Sequence, residues 1–414
     1  VRAGKPAARA GKHSLRGYAS PMRAWRLATI AAAALALGSG LTVWGLSGPA
    51  SLSSTPATST TQGGPRPHSA ASPQQAFPKV AGSSIITLQA AHSYTPKAPP
   101  GATDDYHCTL VDPHVKRNSM IIASHFFPNS VEVHHAILFL VPPPMVAAAR
   151  AADRNGKGWT CFGESTLPGQ GLAQLGSTPW LAAWAPGHGL DVAPKGTGVV
   201  FPAGSLVIMQ VHYNLLRGDK PVRVKLMLQT VAQTSRLLPL NLDLLPAPPD
   251  IPCPANLNGP LCNRAAALAN LGQRFGQSQV DFVNVLEQVC GRNPADPPAG
   301  DTTSCTWPIF WSGKILRITP HMHLLGRSMK VVLDPGTPQA RVLLDDTDYN
   351  FDYQRSFSVD PVVVHPGDRV QVTCSYDPLL HELLPQLRNL PPRFVTWGDG
   401  SSDEMCLAIL DWVR

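Results

Sequence analysis

The sequence predicts a mainly β protein. It should have two consecutive antiparallel, jelly-roll-like β-sandwich domains with a disulfide-stapled helical insertion in the second, preceded by a membrane-targeting helix and a disordered linker. Three observations lead to this. Short β-prone runs, among them SMIIASHFF, HHAILFLV, SLVIMQVHYNLL and VRVKLMLQTV, are separated by clusters of Pro, Gly, Asn and Asp. The 414 residues include 42 prolines and 34 glycines, which disfavour a mainly helical chain, while 43% hydrophobic content supplies real cores. Only around residues 250–305 does the rhythm change to helical spacing.

The elements follow in chain order. Residues 1–23 form a basic leader, and Arg2, Lys5, Arg9, Lys12, Arg16, Arg23 and Arg26 together account for the whole formal charge of +7. The rest of the chain is balanced, so the charge marks a leader and gives no support to a nucleic-acid partner. Residues 24–46 are an apolar stretch whose only charge is Arg26. With translation from Met22 it reads as a secretory signal peptide; with the longer leader it reads as a membrane anchor. Either way the remainder is extracytoplasmic, anchored or secreted, where eight cysteines without a CxxC pair are expected as disulfides. Residues 47–82, rich in Ser, Thr, Pro, Gly and Gln, cannot offset ordering entropy and read as a disordered linker.

The first ordered domain is expected over residues 83–240 and the second over 241–414, with the insertion at about 250–305. In that insertion, residues 263–290 have helical spacing bracketed by Cys253, Cys262, Cys290 and Cys305. Two disulfides should staple it. The nested pairing Cys253–Cys305 and Cys262–Cys290 is favoured, although spacing does not fix connectivity. After it the strand-like runs KILRITPHMHLLG, SMKVVL, RVLLDD, DRVQVTCSYD and MCLAILDWV resume.

Three histidine clusters have metal-ligand character: His134 and His135 in VEVHHAILFLV, His212 in MQVHYNLL, and His321 and His323 in ITPHMHLLG. Alternate side chains of a strand share a face, so His321 and His323 can converge on one ion without distortion. His134 and His135 point to opposite faces and can share an ion only where the strand twists or bulges. The isolated His107, His114, His125, His188, His365 and His381 read as ordinary polar residues.

These clusters, together with GDGSSDEMCLAILDWV near the C terminus, resemble the copper type II, ascorbate-dependent monooxygenases, the group of peptidylglycine α-hydroxylating and dopamine β-monooxygenase. The similarity runs through DDYHC (104–108), HH (134–135), CFGES (161–165), LAAWAPG and PKGTGVVFPAGS (181–205), QVHY (210–213), HMH (321–323), HPGDRVQVTC (365–374) and SSDEMC (401–406), in that order. It covers about residues 100–414 apart from the insertion.

The resemblance implies two copper ions. His134, His135 and His212 would hold an electron-transfer copper, and His321, His323 and Met405 an oxygen-binding copper; imidazole suits both oxidation states, and a soft thioether favours Cu(I). It further implies disulfides Cys374–Cys406 and Cys108–Cys161, a small-molecule substrate, dioxygen and ascorbate or a similar reductant as partners, and no catalytic residue beyond the metal ligands. Without SSDE and Cys406 beside it, Met405 would read as a core methionine. Peptide-amidating relatives hold the peptide carboxylate with an arginine, an asparagine and a tyrosine; the corresponding positions here are Thr319, Leu407 and Ile409. Peptide amidation is therefore not expected, and a neutral or hydrophobic substrate is. A copper carrier without turnover is the alternative, although the chain lacks the repeated Met/His tracts typical of carriers. A scaffold that had lost the chemistry would be expected to lack a ligand.

Overall fold

The computed structural model describes residues 76–163, 165, 179–234 and 236–414. The basic leader, the membrane-targeting segment and most of the linker expected from the sequence lie outside the described residues. Among the described residues, no helix is long and apolar enough to cross a membrane.

Among the described residues strands dominate and are assembled in five sheets. In the first half, a five-stranded sheet has the order Trp159–Thr160, Asp104–Val111, Leu206–Asn214, Val133–Val141, Trp180–Trp184. It shares one core with a six-stranded sheet that includes Ser84–Gln89, Lys225–Ala232 and Ser119–Phe127. Leu138, Val207, Met209 and Val211 of the former meet Leu226, Leu228, Ile121 and Phe126 of the latter. Strand Leu206–Asn214 is buried along its whole length because it lies at the centre of its sheet.

In the second half, Asn241–Pro246, Cys406–Val413, Gly313–Met322 and Phe357–Val364 form a four-stranded sheet. Its core is shared with a second four-stranded sheet of Thr302–Pro308, Arg369–Tyr376, Gly326–Leu333 and Arg341–Asp346. Ile315, Ile318, Leu410 and Trp412 meet Val331, Val370 and Val372 there. Asp250–Ile251 and Val395–Thr396 make a separate two-stranded ladder. The described residues all belong to one compact unit.

The insertion consists of two helices, Arg264–Phe275 and Gln277–Val289. Asn263 caps the first by accepting the Ala266 N–H at 3.0 Å. Gly276, at φ +96°, makes the sharp change of direction between them that a residue with a Cβ would resist. Ala267, Leu271, Arg274 and Phe275 are the buried face of the first helix.

The disulfide pairing in the insertion differs from the nested expectation. The bonds are Cys253–Cys262 and Cys290–Cys305, two short closures in series. The turn at Pro260–Cys262 folds Cys262 back onto Cys253, with 5.5 Å between their Cα atoms. The end of the second helix, capped by Cys290, packs against strand Thr302–Pro308, which carries Cys305. The other two bonds are Cys108–Cys161 and Cys374–Cys406, and no cysteine is free.

Candidate metal centre

His134 and His135 face one another's target because strand Val133–Val141 bulges where they sit. Val133 pairs with Tyr213 but His135 pairs with His212, so His134 is the extra residue of the bulge. That local kink overrides the alternation that would send the two rings apart. The metal-binding atoms offered by His134, His135 and His212 all lie within 4.8 Å of one another. His134 Nδ1 and His212 Nδ1 are 3.3 Å apart. His134 Nε2 is buried without a hydrogen-bond partner among the described residues.

The neighbouring strand Asp104–Val111 completes this pocket. Tyr106 is opposite His212 in the ladder, and its ring stacks on the imidazole at 4.1 Å. Its hydroxyl donates to the Asp399 carbonyl at 2.8 Å and lies 3.4 Å from His135 Nε2. Asp104 Oδ1 lies 2.9 Å from His212 Nε2. Burial by itself would lift the Asp104 carboxyl, but the bonds from His212, Ser401 and Thr103 outweigh it and hold the group below the usual carboxylate range.

The second histidine set lies at the end of strand Gly313–Met322. His321 Nδ1 is 2.8 Å from Gln354 Oε1, which can only accept, so Nδ1 carries the proton and Nε2 keeps its lone pair. His323 Nδ1 faces the Asp403 carbonyl at 3.2 Å in the same way, and its Nε2 is buried without a partner among the described residues. Met322 pairs with Cys406, so His323 and Met405 follow as neighbours at the end of the ladder. Glu404 fixes that end: its carboxyl accepts the backbone N–H groups of His323 at 2.9 Å, Leu325 at 2.6 Å and Met405 at 3.1 Å. Burial pushes the Glu404 carboxyl up to about 8 despite these bonds.

The two sets touch. The rings of His135 and His321 are 5.7 Å apart, and Phe351 stacks on His134 at 4.1 Å while presenting its edge to His323 at 6.2 Å. Burial, then the neighbouring imidazoles, drives His134 and His135 well below the ordinary histidine value. Burial likewise lowers His321 to about 4 and His323 well below its usual range. At neutral pH these are neutral imidazoles with lone pairs available, the form a metal requires. Unpartnered nitrogens in a buried, polar cluster are costly unless something binds them. The donor set of five imidazoles and one thioether suits copper.

Met405 is also walled in by the insertion. Leu271, Phe275, Val283 and Leu286 of the two helices form one apolar cluster with Met405, Leu407 and Trp397, bordered by Ile409 and Phe162. Arg274 donates twice to Asp403, at 2.8 and 2.6 Å, which steadies the residue whose carbonyl faces His323. Thr319 pairs with Ile409 in the ladder and its hydroxyl meets that of Ser356 at 2.6 Å.

Sequence reasoning did not single out Asp104, Tyr106, Phe351, Gln354, Ser401 or Glu404 for a role. The alternation of Asp104, Tyr106 and Cys108 within DDYHC was a usable signal for a shared face; Phe351 and Gln354 lie in irregular sequence and offered none. Of the isolated histidines, His107 has the ordinary role expected, stacked on Tyr94 at 3.6 Å and bonded to the Lys157 carbonyl at 2.9 Å.

Comparison with known proteins bears on the second half. Residues 302–412 match the family model described as the copper type II ascorbate-dependent monooxygenase C-terminal domain. A mouse protein, DBH-like monooxygenase protein 2 of Mus musculus, is 34% identical over 89 residues, 21% of this chain and 13% of the mouse protein, so the match spans a small part of that relative. Two solved allantoicase structures align over 80% and 78% of this chain, and 90% and 81% of theirs, the second from Saccharomyces cerevisiae. Their identities of 9% and 6% and TM-scores of 0.19 and 0.20 are too low to bear on the fold. The matched region contains His321, His323, Met405 and the Cys374–Cys406 bond, so the second half of the chain is similar to the C-terminal domain of the copper type II ascorbate-dependent monooxygenases.

Proposed function

We propose that this protein is a copper-dependent monooxygenase that hydroxylates a C–H bond of a small organic substrate, using dioxygen and an ascorbate-like reductant. The observation that carries the reading is the meeting of two buried histidine sets, with His134 Nε2 and His323 Nε2 left without partners among the described residues. His134, His135 and His212 would hold one copper and pass an electron; His321, His323 and Met405 would hold the other, where oxygen reacts. Copper, when bound, supplies the one-electron and oxygen chemistry that no side chain can.

The chain's own residues position and shield. Gln354 and the Asp403 carbonyl keep the Nδ1 protons of His321 and His323, directing both Nε2 atoms inward. Glu404 pins the backbone on either side of the ligands, and the helical insertion keeps water from Met405. We assign no acid or base among them.

The same reading takes the two pairs of sheets as two jelly-roll-like β-sandwich domains, residues 83–240 and 241–414, with one copper site on each. It places the protein outside the cytoplasm, anchored or secreted, in keeping with four disulfides. Thr319, Leu407 and Ile409 offer no cation to a carboxylate, and the last two pack among apolar helix residues. The substrate is therefore neutral or hydrophobic, not a C-terminal peptide carboxylate.

The test is ascorbate-dependent oxygen uptake by the copper-loaded protein over phenethylamines, glycine-extended peptides and neutral aromatics, with Met405→Ala alongside. Substrate-stimulated uptake matched by hydroxylated product, and lost in the variant, is the expected result. Two bound coppers without substrate-coupled uptake would instead indicate a carrier, and no copper binding would end the proposal.

A further inference from the structure

Asp104 is fully buried, and its two oxygens accept from groups in both halves of the molecule. Oδ1 takes His212 Nε2 at 2.9 Å and the Ser401 hydroxyl at 2.7 Å; Oδ2 takes the Thr103 hydroxyl at 2.8 Å. The placement follows from strand register. Tyr106 is opposite His212, and Asp104, two residues earlier, shares its face. Ser401, four residues before Met405, reaches this face from the other half, as does the Asp399 carbonyl that receives the Tyr106 hydroxyl.

We infer that Asp104 is a positioning residue for the first histidine set that also sets where the Met405 loop stands. A carboxylate can only accept, so His212 is held with its proton on Nε2 and its Nδ1 lone pair turned toward His134. The Ser401 bond attaches the loop leading to Met405 to that same oxygen. One carboxylate thus fixes the orientation of a ligand in one half and the approach of a ligand-bearing loop from the other. A purely mechanical staple between halves has no need of a charge here, since burying a carboxylate carries a desolvation cost that apolar packing avoids. The charge has a use where the opposite edge of the imidazole faces a cation.

The inference rests on the copper reading, and the experiment separates the two. In the unmodified, metal-free full chain, 15N NMR of histidine-labelled protein should show His212 as a slowly exchanging Nε2–H tautomer; an Nδ1–H tautomer overturns the inference, whatever becomes of any variant. With Cu(II) as the probe, Asp104→Asn should bind the first copper about 10–100-fold more weakly in chelator competition, with altered hyperfine splitting in its EPR spectrum. Ser401→Ala removes only the bond from the Met405 loop to Asp104 and should weaken the first site much less than Asp104→Asn does. An Asp104→Asn protein with unchanged affinity and spectrum would overturn the inference while leaving the copper reading intact. So would a Ser401→Ala loss equal to that of Asp104→Asn, because the carboxylate would then act only as a staple. An unmodified chain that binds no copper would sink both ideas.

Discussion

The two histidine sets reach similar surroundings by different means. The first is built into paired strands of one sheet: His212 in a central, fully buried strand, and His134 and His135 on a bulge beside it. The second lies where a strand ends, and is held by side chains from elsewhere: Gln354, Glu404, and Arg274 acting through Asp403. A ligand within a ladder is fixed by backbone bonds that also hold the sheet. A ligand at a strand end has to be fixed by groups that can be removed one at a time. Asp104, which holds the His212 ring, aside, the second set should therefore be the more vulnerable to single substitutions outside the ligands.

The largest test of that contrast is at the ligands themselves. Met405→Ala and His134→Ala should each lower bound copper from two ions to one and take turnover to background, measured by metal analysis and oxygen uptake. If Met405→Ala retains both ions and full turnover, the second set is not a metal site. Next is Arg274→Met, which strands buried Asp403. It should cost about 3–5 kcal/mol of unfolding free energy, toward the lower end because Arg393 stands 3.7 Å away. In that variant copper affinity should fall at the second site and hold at the first; an equal loss at both would break the comparison.

Replacing Cys290 and Cys305 together by serine should cost about 3 kcal/mol in chemical denaturation. It frees the end of the helix pair that walls in Met405, so second-site affinity should drop while the first site is unaffected.

The last test concerns Glu287, in the same insertion. Burial, followed by the neighbouring Asp250 carboxylate, lifts it to about 9, partly offset by Arg292 and Arg264. The folded protein therefore keeps a proton that the unfolded chain releases near the ordinary carboxyl value of 4.5. Its contribution to stability should decline as pH rises between about 5 and 9. Glu287→Gln should flatten that part of the stability–pH curve, and an unchanged slope would show that the proton is held elsewhere.

The difference between the sets also governs what could be read in advance. His321 and His323 were legible because period two puts them on one side of a strand, a rule that needs no partner. For His134 and His135 the same rule predicts divergence; the bulge that reverses it is a property of the pairing with His212, 78 residues away. The helical insertion was legible from spacing, but its disulfide pairing depended on where strand Thr302–Pro308 would lie relative to the second helix, which spacing does not encode. Glu404 and Asp104 stood in motifs that drew notice, yet an acid becomes a positioning group only once tertiary structure presents N–H or O–H donors to it. Phe351 comes from a loop whose local sequence says nothing of the two rings it meets.

The four disulfides have a consequence for biosynthesis. Joining 108 to 161, 253 to 262, 290 to 305 and 374 to 406, they pair the cysteines strictly in order of appearance. A chain made and exported from its N terminus can close each loop before the next cysteine emerges. The timetable of synthesis then separates right partners from wrong ones. Refolding from the fully reduced chain, where all eight thiols compete at once, should give mispaired species and need reshuffling that vectorial export avoids.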